Sequence, residues 1–204
     1  MQPLRVVLTG GPAGGKTTAI GMLAKHYREK GYSVYTSPEV PTLLHHCGVN
    51  LREKMANARD QENLLQGALH LQTSMECLLY HLAETDNSDK RPLILFDRGV
   101  IDFKGYYTSS MWERVTQRLD IDRDYEHYCY DLVLHLVTTA IGAEAFFNND
   151  NPARQCSLEL AQELDRRTRN TWRRKVVEID NSTDFLGKVT RIISQIDIAL
   201  SEPV

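Results

Sequence analysis

Short apolar runs alternate with longer stretches of helical period along most of the chain. The runs at 4–9, 32–37, 93–97, 131–137 and 176–180 are too short for helices and rich in Val, Ile and Leu, as strands buried on both faces require. Between them the pattern predicts a helix over 16–30, closed by Gly31, and a long helix over 60–84. In the long helix Leu64, Ala68, Leu71, Met75, Leu78 and Leu82 recur three or four apart, and their stripe is read as core. Further helices are expected at 110–119, at 154–175 with Leu158, Ala161, Leu164, Thr168 and Trp172 inward, and at 184–200 with Phe185, Val189, Ile192, Ile193 and Ile196 inward. Strands alternating with helices argue for an α/β fold with a parallel sheet covered on both faces. The polar stretch 85–92 is read as a loop, and the Asn-rich stretch from Gly142 to Pro152 as a mobile one. With no repeat and no linker, residues 1–204 are read as a single domain.

The turn between the first strand and the first helix carries the most specific chemistry. Gly10-Gly11-Pro12-Ala13-Gly14-Gly15-Lys16-Thr17 fits G-x-x-x-x-G-K-[ST], and Thr18 follows it. Glycines let the backbone turn sharply and aim N–H groups at phosphate oxygens, and the helix N-terminus adds partial positive charge. Lys16, expected to be solvent-accessible, can reach the β- and γ-phosphates, and the Thr17 hydroxyl can serve Mg²⁺. Gly11 to Thr18 is therefore the candidate nucleotide-binding segment.

Leu93-Ile94-Leu95-Phe96-Asp97 is an apolar strand ending in a carboxylate, which would stand beside a Mg²⁺ held by Thr17. Arg98 follows, where many nucleotide hydrolases place a water-activating glutamate. A cation there suits phosphoryl transfer or substrate anchoring. Asp102 and Tyr106 lie on the same rim of the sheet. Asp102 could bind a sugar hydroxyl beside stacking aromatics, or cap a helix among packing tyrosines. Glu39, presented by Pro38 and Pro41 after the second strand, could take a proton from an attacking hydroxyl, hold an acceptor, or be an exposed loop carboxylate. Among the arginines from Arg154 to Arg174, Arg154 at the mouth of the Asn-rich stretch is the candidate to close over a transferred phosphoryl group. Most of the others are read as a solvated face paired with Glu159, Glu163 and Asp165.

Composition narrows the field without pointing elsewhere. A net charge of −3 gives no electrostatic case for nucleic acid or a membrane surface, and no apolar stretch approaches a membrane span. Met1 to Arg5 leads directly into the first strand, so no secretory signal is expected. Cys47, Cys77, Cys129 and Cys156 lack a C-x-x-C pair and are read as reduced thiols of a cytoplasmic protein. The adjacent His45 and His46 diverge and have no companion cluster with zinc-ligand spacing.

Together the phosphate loop, Glu39, Asp97-Arg98-Gly99 and Asp102 resemble the NadR/Ttd-type AAA-like ATP/GTP-binding domains. That group includes a ribosylnicotinamide kinase domain and nucleotide-binding proteins linked to membrane-protein trafficking. Asp131 to Leu136, Arg154, the Ala161–Trp172 segment, Asp180-Asn181-Ser182 and Phe185 extend the likeness over nearly the whole chain. The resemblance implies a phosphate-loop NTPase sandwich, with a five-stranded parallel sheet in the order 2-3-1-4-5 and a lid after strand 4. It also implies that Asn181 lies near the nucleotide base. More distantly the layout looks like nucleoside and nucleotide kinases, although Pro-Glu-Val stands where those commonly have Glu-Pro.

Two functions are expected from these residues. One is an ATP·Mg²⁺-dependent kinase of a nucleoside- or nucleotide-like small molecule, with Glu39, Arg98, Asp102 and Tyr106 on the acceptor side. The other is a slow ATPase or GTPase acting as a nucleotide-dependent switch with a protein partner. No N-K-x-D guanine-reading motif occurs, which argues against an ordinary small GTPase.

Overall fold

A computed structural model describes residues 2–147 and 156–202. The five predicted strands form one parallel sheet: β1 (Leu4–Thr9), β2 (Ser33–Ser37), β3 (Pro92–Asp97), β4 (Leu132–Leu136) and β5 (Val177–Ile179). Their order is β2-β3-β1-β4-β5, as the resemblance implied. Val6 of β1 stands between Leu95 of β3 and Leu132 of β4, so the central strand is hydrogen-bonded on both sides.

Successive side chains of a strand point to opposite faces, and here both faces are dry. Val6, Leu8, Leu93, Leu95, Leu134 and Leu136 pack on one side against helices α1 (Lys16–Glu29) and α8 (Phe185–Ser201). Val7, Ile94, Phe96 and Val133 face the other side, where Tyr130 and Trp172 fill the layer. A third apolar group joins α4 (Ala58–Glu84) and α5 (Ser109–Arg118) through Leu65, Leu69, Val100, Phe103, Met111 and Val115. Three further helices are short: α2 (Val40–His46), α3 (Leu51–Lys54) and α6 (Tyr125–Cys129). A 3-10 turn, Val100–Tyr106, follows β3, and α7 (Leu158–Thr171) precedes β5.

Two helical faces differ from the sequence pattern. In α4 the inward residues are Leu65, Ala68, Leu69, Gln72, Glu76 and Ala83, whereas Leu71, Leu78 and Leu82 are exposed. The helix is rotated from the apolar stripe: its inner face includes Gln72, which donates to Glu76, and Glu76, which accepts the buried Tyr130 hydroxyl. In α7 the inner face is Ala161, Asp165, Thr168 and Thr171, with Trp172 buried just beyond the helix. Glu163 pairs with Arg166 and Arg167 on the wet side as expected, but Asp165 is buried and does not belong to that solvated face. The α8 face holds as read, and it also buries Lys188. The lid expected after strand 4 falls chiefly on residues outside the described ones. From the Asn-rich stretch Glu144–Phe146 is a single 3-10 turn. Among the described residues no helix is long and apolar enough to cross a membrane.

Candidate functional site: a phosphate loop and its rim

Parallel strands deliver their carboxyl ends to one rim, and the phosphate loop and Asp97 stand there. At its glycines the loop from β1 to α1 leaves no room for a side chain. A Cβ at Gly10, where φ is 132°, would lie 2.2 Å from the Leu136 carbonyl oxygen, and one at Gly15 would lie 2.5 Å from the Phe185 ring. The first turn of a helix has no carbonyl below it to accept its N–H groups, and here that turn is Lys16-Thr17-Thr18. Ala19 is the first residue to close the ladder, donating to the Gly15 carbonyl at 2.9 Å. Thr17 and Thr18 are exposed and Ala13 and Gly15 half-exposed, so this stretch is the open lip of the loop.

Gly11 and Pro12 form its buried wall instead. The Gly11 amide donates to Asp165 Oδ1 at 2.8 Å, and the Pro12 carbonyl accepts the Thr138 hydroxyl. Thr139 donates its amide to the Ala13 carbonyl at 3.3 Å. Of the candidate segment, Gly11 therefore spends its N–H inside the protein, and Pro12 has none. Lys16 corrects a second expectation: it is 2% exposed, not solvent-accessible. Side chains in a helix lean toward its N-terminus, which folds this one back into the loop. Its ammonium donates to the Gly10 and Gly11 carbonyls at 3.0 and 2.6 Å.

Thr17 and Asp97 do meet. The Thr17 hydroxyl donates to Asp97 Oδ2 at 2.5 Å, while Asp97 Oδ1 is buried with no hydrogen-bond partner. A hydroxyl beside a carboxylate with an unused oxygen is a hard-oxygen donor set that fits Mg²⁺, whose other ligands are ordinarily phosphate oxygens and water. When bound, that ion would neutralise charge on the phosphates.

Arg98 takes a left-handed conformation, φ 73°, an uncommon choice outside glycine that re-aims the chain at the strand end. Its guanidinium is buried and donates from Nε to Glu39 Oε1 at 2.6 Å, over the Tyr106 ring at 5.4 Å from the centroid. Nη1 of Arg98 has no hydrogen-bond partner. Glu39 is itself 3% exposed and also accepts the Thr42 hydroxyl at 2.8 Å, so it is not an exposed loop carboxylate. Asp102 takes the capping role. Oδ2 accepts the Gly99 amide at 3.0 Å, and Oδ1 accepts the Trp172 indole at 3.0 Å and the Thr9 hydroxyl. With three donors on a carboxylate 1% exposed, it ties the 3-10 turn to β1 and to the end of α7.

Asn181 is a clamp. Its amide donates to the Thr138 and Ile141 carbonyls at 2.8 Å each, and its oxygen accepts Lys188 Nζ at 2.7 Å. It thereby shapes the segment after β4 that braces the phosphate loop. Burial drives the Lys188 pKa down to about 8, partly countered by the field of Asp165. Arg154 lies outside the described residues.

The roles of four residues of the site escaped the sequence reading: Asp165, read there as part of a solvated face, His135, Thr138 and Gln72. Asp165 Oδ1 accepts Thr138 N–H at 3.0 Å as well as Gly11 N–H, and Oδ2 meets His135 Nε2 at 3.0 Å. Burial raises its pKa, but the His135 hydrogen bond and field and the two amides outweigh that and leave it below the ordinary value. A signal existed, because position 165 lies between Ala161 and Thr168 on the face already read as inward. Gln72 donates to the Arg98 carbonyl at 3.3 Å and to Glu76 at 2.7 Å.

A phosphate loop at the end of the first strand, a Thr–Asp pair across the β1–β3 junction and a parallel 2-3-1-4-5 sheet define a phosphate-loop NTPase domain. Residues 5–185 match the family model described as AAA domain, and the chain belongs to that family. No match is found among curated proteins.

Proposed function

We propose that the protein is an ATP-dependent phosphotransferase acting on a nucleoside- or nucleotide-like small molecule. The observation that carries the reading is the buried Arg98–Glu39 ion pair on the rim directly after Asp97. A hydrolase of this class wants a base aimed at water there. This rim offers a guanidinium whose Nη1 has no hydrogen-bond partner and a carboxylate oriented by it, a pair suited to holding a hydroxyl-bearing acceptor.

In this reading the amides from Ala13 to Thr18 and the Lys16 ammonium hold the triphosphate, and Thr17 and Asp97 serve Mg²⁺. An acceptor hydroxyl attacks the γ-phosphorus, the bond to the bridging oxygen breaks, and the diphosphate leaves. Glu39 receives or orients the hydroxyl proton, and Arg98 offsets charge on the transferred group. Tyr106 forms an aromatic wall under Arg98, and Asp102 acts by fixing the turn. Incubation with ATP·Mg²⁺ (and GTP·Mg²⁺ in parallel) and a panel of nucleosides and nucleotides, read by mass spectrometry, should give a product carrying one added phosphoryl group. Triphosphate hydrolysis with no phosphorylated acceptor across a broad panel would replace transfer by the slow-NTPase switch.

A further inference from the structure

One helix touches both halves of the proposed site. Midway along it Asp165, 4% exposed, takes the Gly11 and Thr138 amides on one carboxylate oxygen and His135 on the other. The approach is close enough that a Cβ on Gly11 would lie 2.7 Å from the Asp165 Cβ. Along the same face Thr168 abuts the 3-10 turn, where a Cβ on Gly105 would stand 3.3 Å from its backbone. Just past the helix end Trp172 donates to Asp102 and closes on Gly99, whose Cβ would fall 3.1 Å from the indole. Positions 165, 168 and 172 share one helical face, and from Asp165 to Trp172 the axis advances only about 10 Å.

We propose that Asp165 is a positioning residue. It fastens the phosphate loop to α7, so that binding at the loop is transmitted through α7 to the Gly99–Tyr106 turn that follows Arg98. The inference rests on the nucleotide-site reading and adds a coupling between donor and acceptor sides. The two helical turns from Asp165 to Trp172, held at each end by buried hydrogen bonds and backbone-close packing, move as one piece. A ligand that orders the loop at Asp165 therefore lowers the cost of ordering the turn at Trp172.

Hydrogen exchange read by mass spectrometry on the full chain, with and without AMP-PNP·Mg²⁺, tests this. In the unmodified protein the nucleotide should slow exchange in the phosphate loop. It should also slow the Gly99–Tyr106 amides by about fivefold or more, the low end for coupled sites. Asp165→Ala, compared at AMP-PNP·Mg²⁺ concentrations that saturate it, should lose the slowing at 99–106. Asp165→Asn, which keeps an oxygen for both amides, should restore it. A purely structural role would loosen the turn whether or not nucleotide is present. Trp172→Phe, which keeps the ring and removes the donor to Asp102, should also abolish the remote slowing, and it decides the matter if Asp165→Ala fails to fold. Slowing confined to the loop in the unmodified protein, or remote slowing that survives in Trp172→Phe or in a folded Asp165→Ala, overturns the inference alone. No AMP-PNP binding to the unmodified protein overturns the nucleotide reading and this inference with it.

Discussion

Lys16 holds two loop carbonyls as well as serving as the proposed phosphate ligand, so its removal has two separable effects. Lys16→Ala should weaken triphosphate binding by about a hundredfold, the loss of a charge-assisted contact of about 3 kcal/mol. It should also lower unfolding stability by about 1–2 kcal/mol, because two buried carbonyls lose their donor. Calorimetric titration with AMP-PNP and a urea melt separate the two, and unchanged nucleotide affinity would remove Lys16 from the site. Arg98 and Glu39 make a different case, since each compensates a charge that is otherwise buried alone. Arg98→Met should cost about 3–5 kcal/mol, as breaking a buried pair does, whereas Arg98→Met with Glu39→Gln should cost clearly less than the two single changes summed. Additive losses in a double-mutant cycle of urea melts would show that the two side chains do not depend on each other.

Among the elements, α4 separates what the sequence states from what it conceals. A leucine stripe at helical spacing is visible by inspection, yet Leu78 and Leu82 are exposed while Leu65 and Leu69 are fully buried. Leu69→Ala should destabilise by about 2–5 kcal/mol and Leu78→Ala by no more than about 0.5 kcal/mol, and chemical denaturation of the pair decides between the two faces. The strands were legible because a strand buried on both faces must be apolar at nearly every position, and Val6-Val7-Leu8 or Leu93-Ile94-Leu95-Phe96 admits no rival reading. The phosphate loop and Asp97 were legible for a related reason: their chemistry depends on residue types at fixed local spacing. Gln72 and Glu76 on α4 were not, and Asp165 on α7 was missed although its position lay on a face read as inward. A polar residue in a helical pattern reads as solvent-facing until its partner is known. The Gly11 amide that Asp165 accepts lies 154 positions away in the chain, and the Tyr130 hydroxyl on Glu76 lies 54 away. Only the folded sheet, which brings five strand ends to one rim, creates those neighbours.

Across the described residues the buried polar groups form a second framework behind the apolar one, and Glu76 is a pH-sensitive member of it. Its carboxylate lies between α4, α6 and β3, taking hydrogen bonds from Gln72 at 2.7 Å, Tyr130 at 2.9 Å and Tyr125 at 3.1 Å. The Tyr130 hydroxyl in turn accepts the Val100 amide at 2.8 Å, which connects Glu76 to the turn after Arg98. Burial raises the Glu76 pKa from 4.5 to about 7, against the opposing pull of those hydrogen bonds. Between these two values the folded protein keeps a proton that the unfolded chain has released. Unfolding therefore sheds protons, and stability must fall as pH rises through that window and level off above about 7. Glu76→Gln has no proton to lose, so its stability should lack that decline. Relative to the variant, the unmodified protein should lose on the order of 2–3 kcal/mol between pH 5 and pH 8. Urea melts of both proteins at intervals across that range measure the difference directly. Parallel profiles would mean that the Glu76 carboxylate keeps its ordinary acidity despite its burial, and that the framework behind the rim carries its charge without cost.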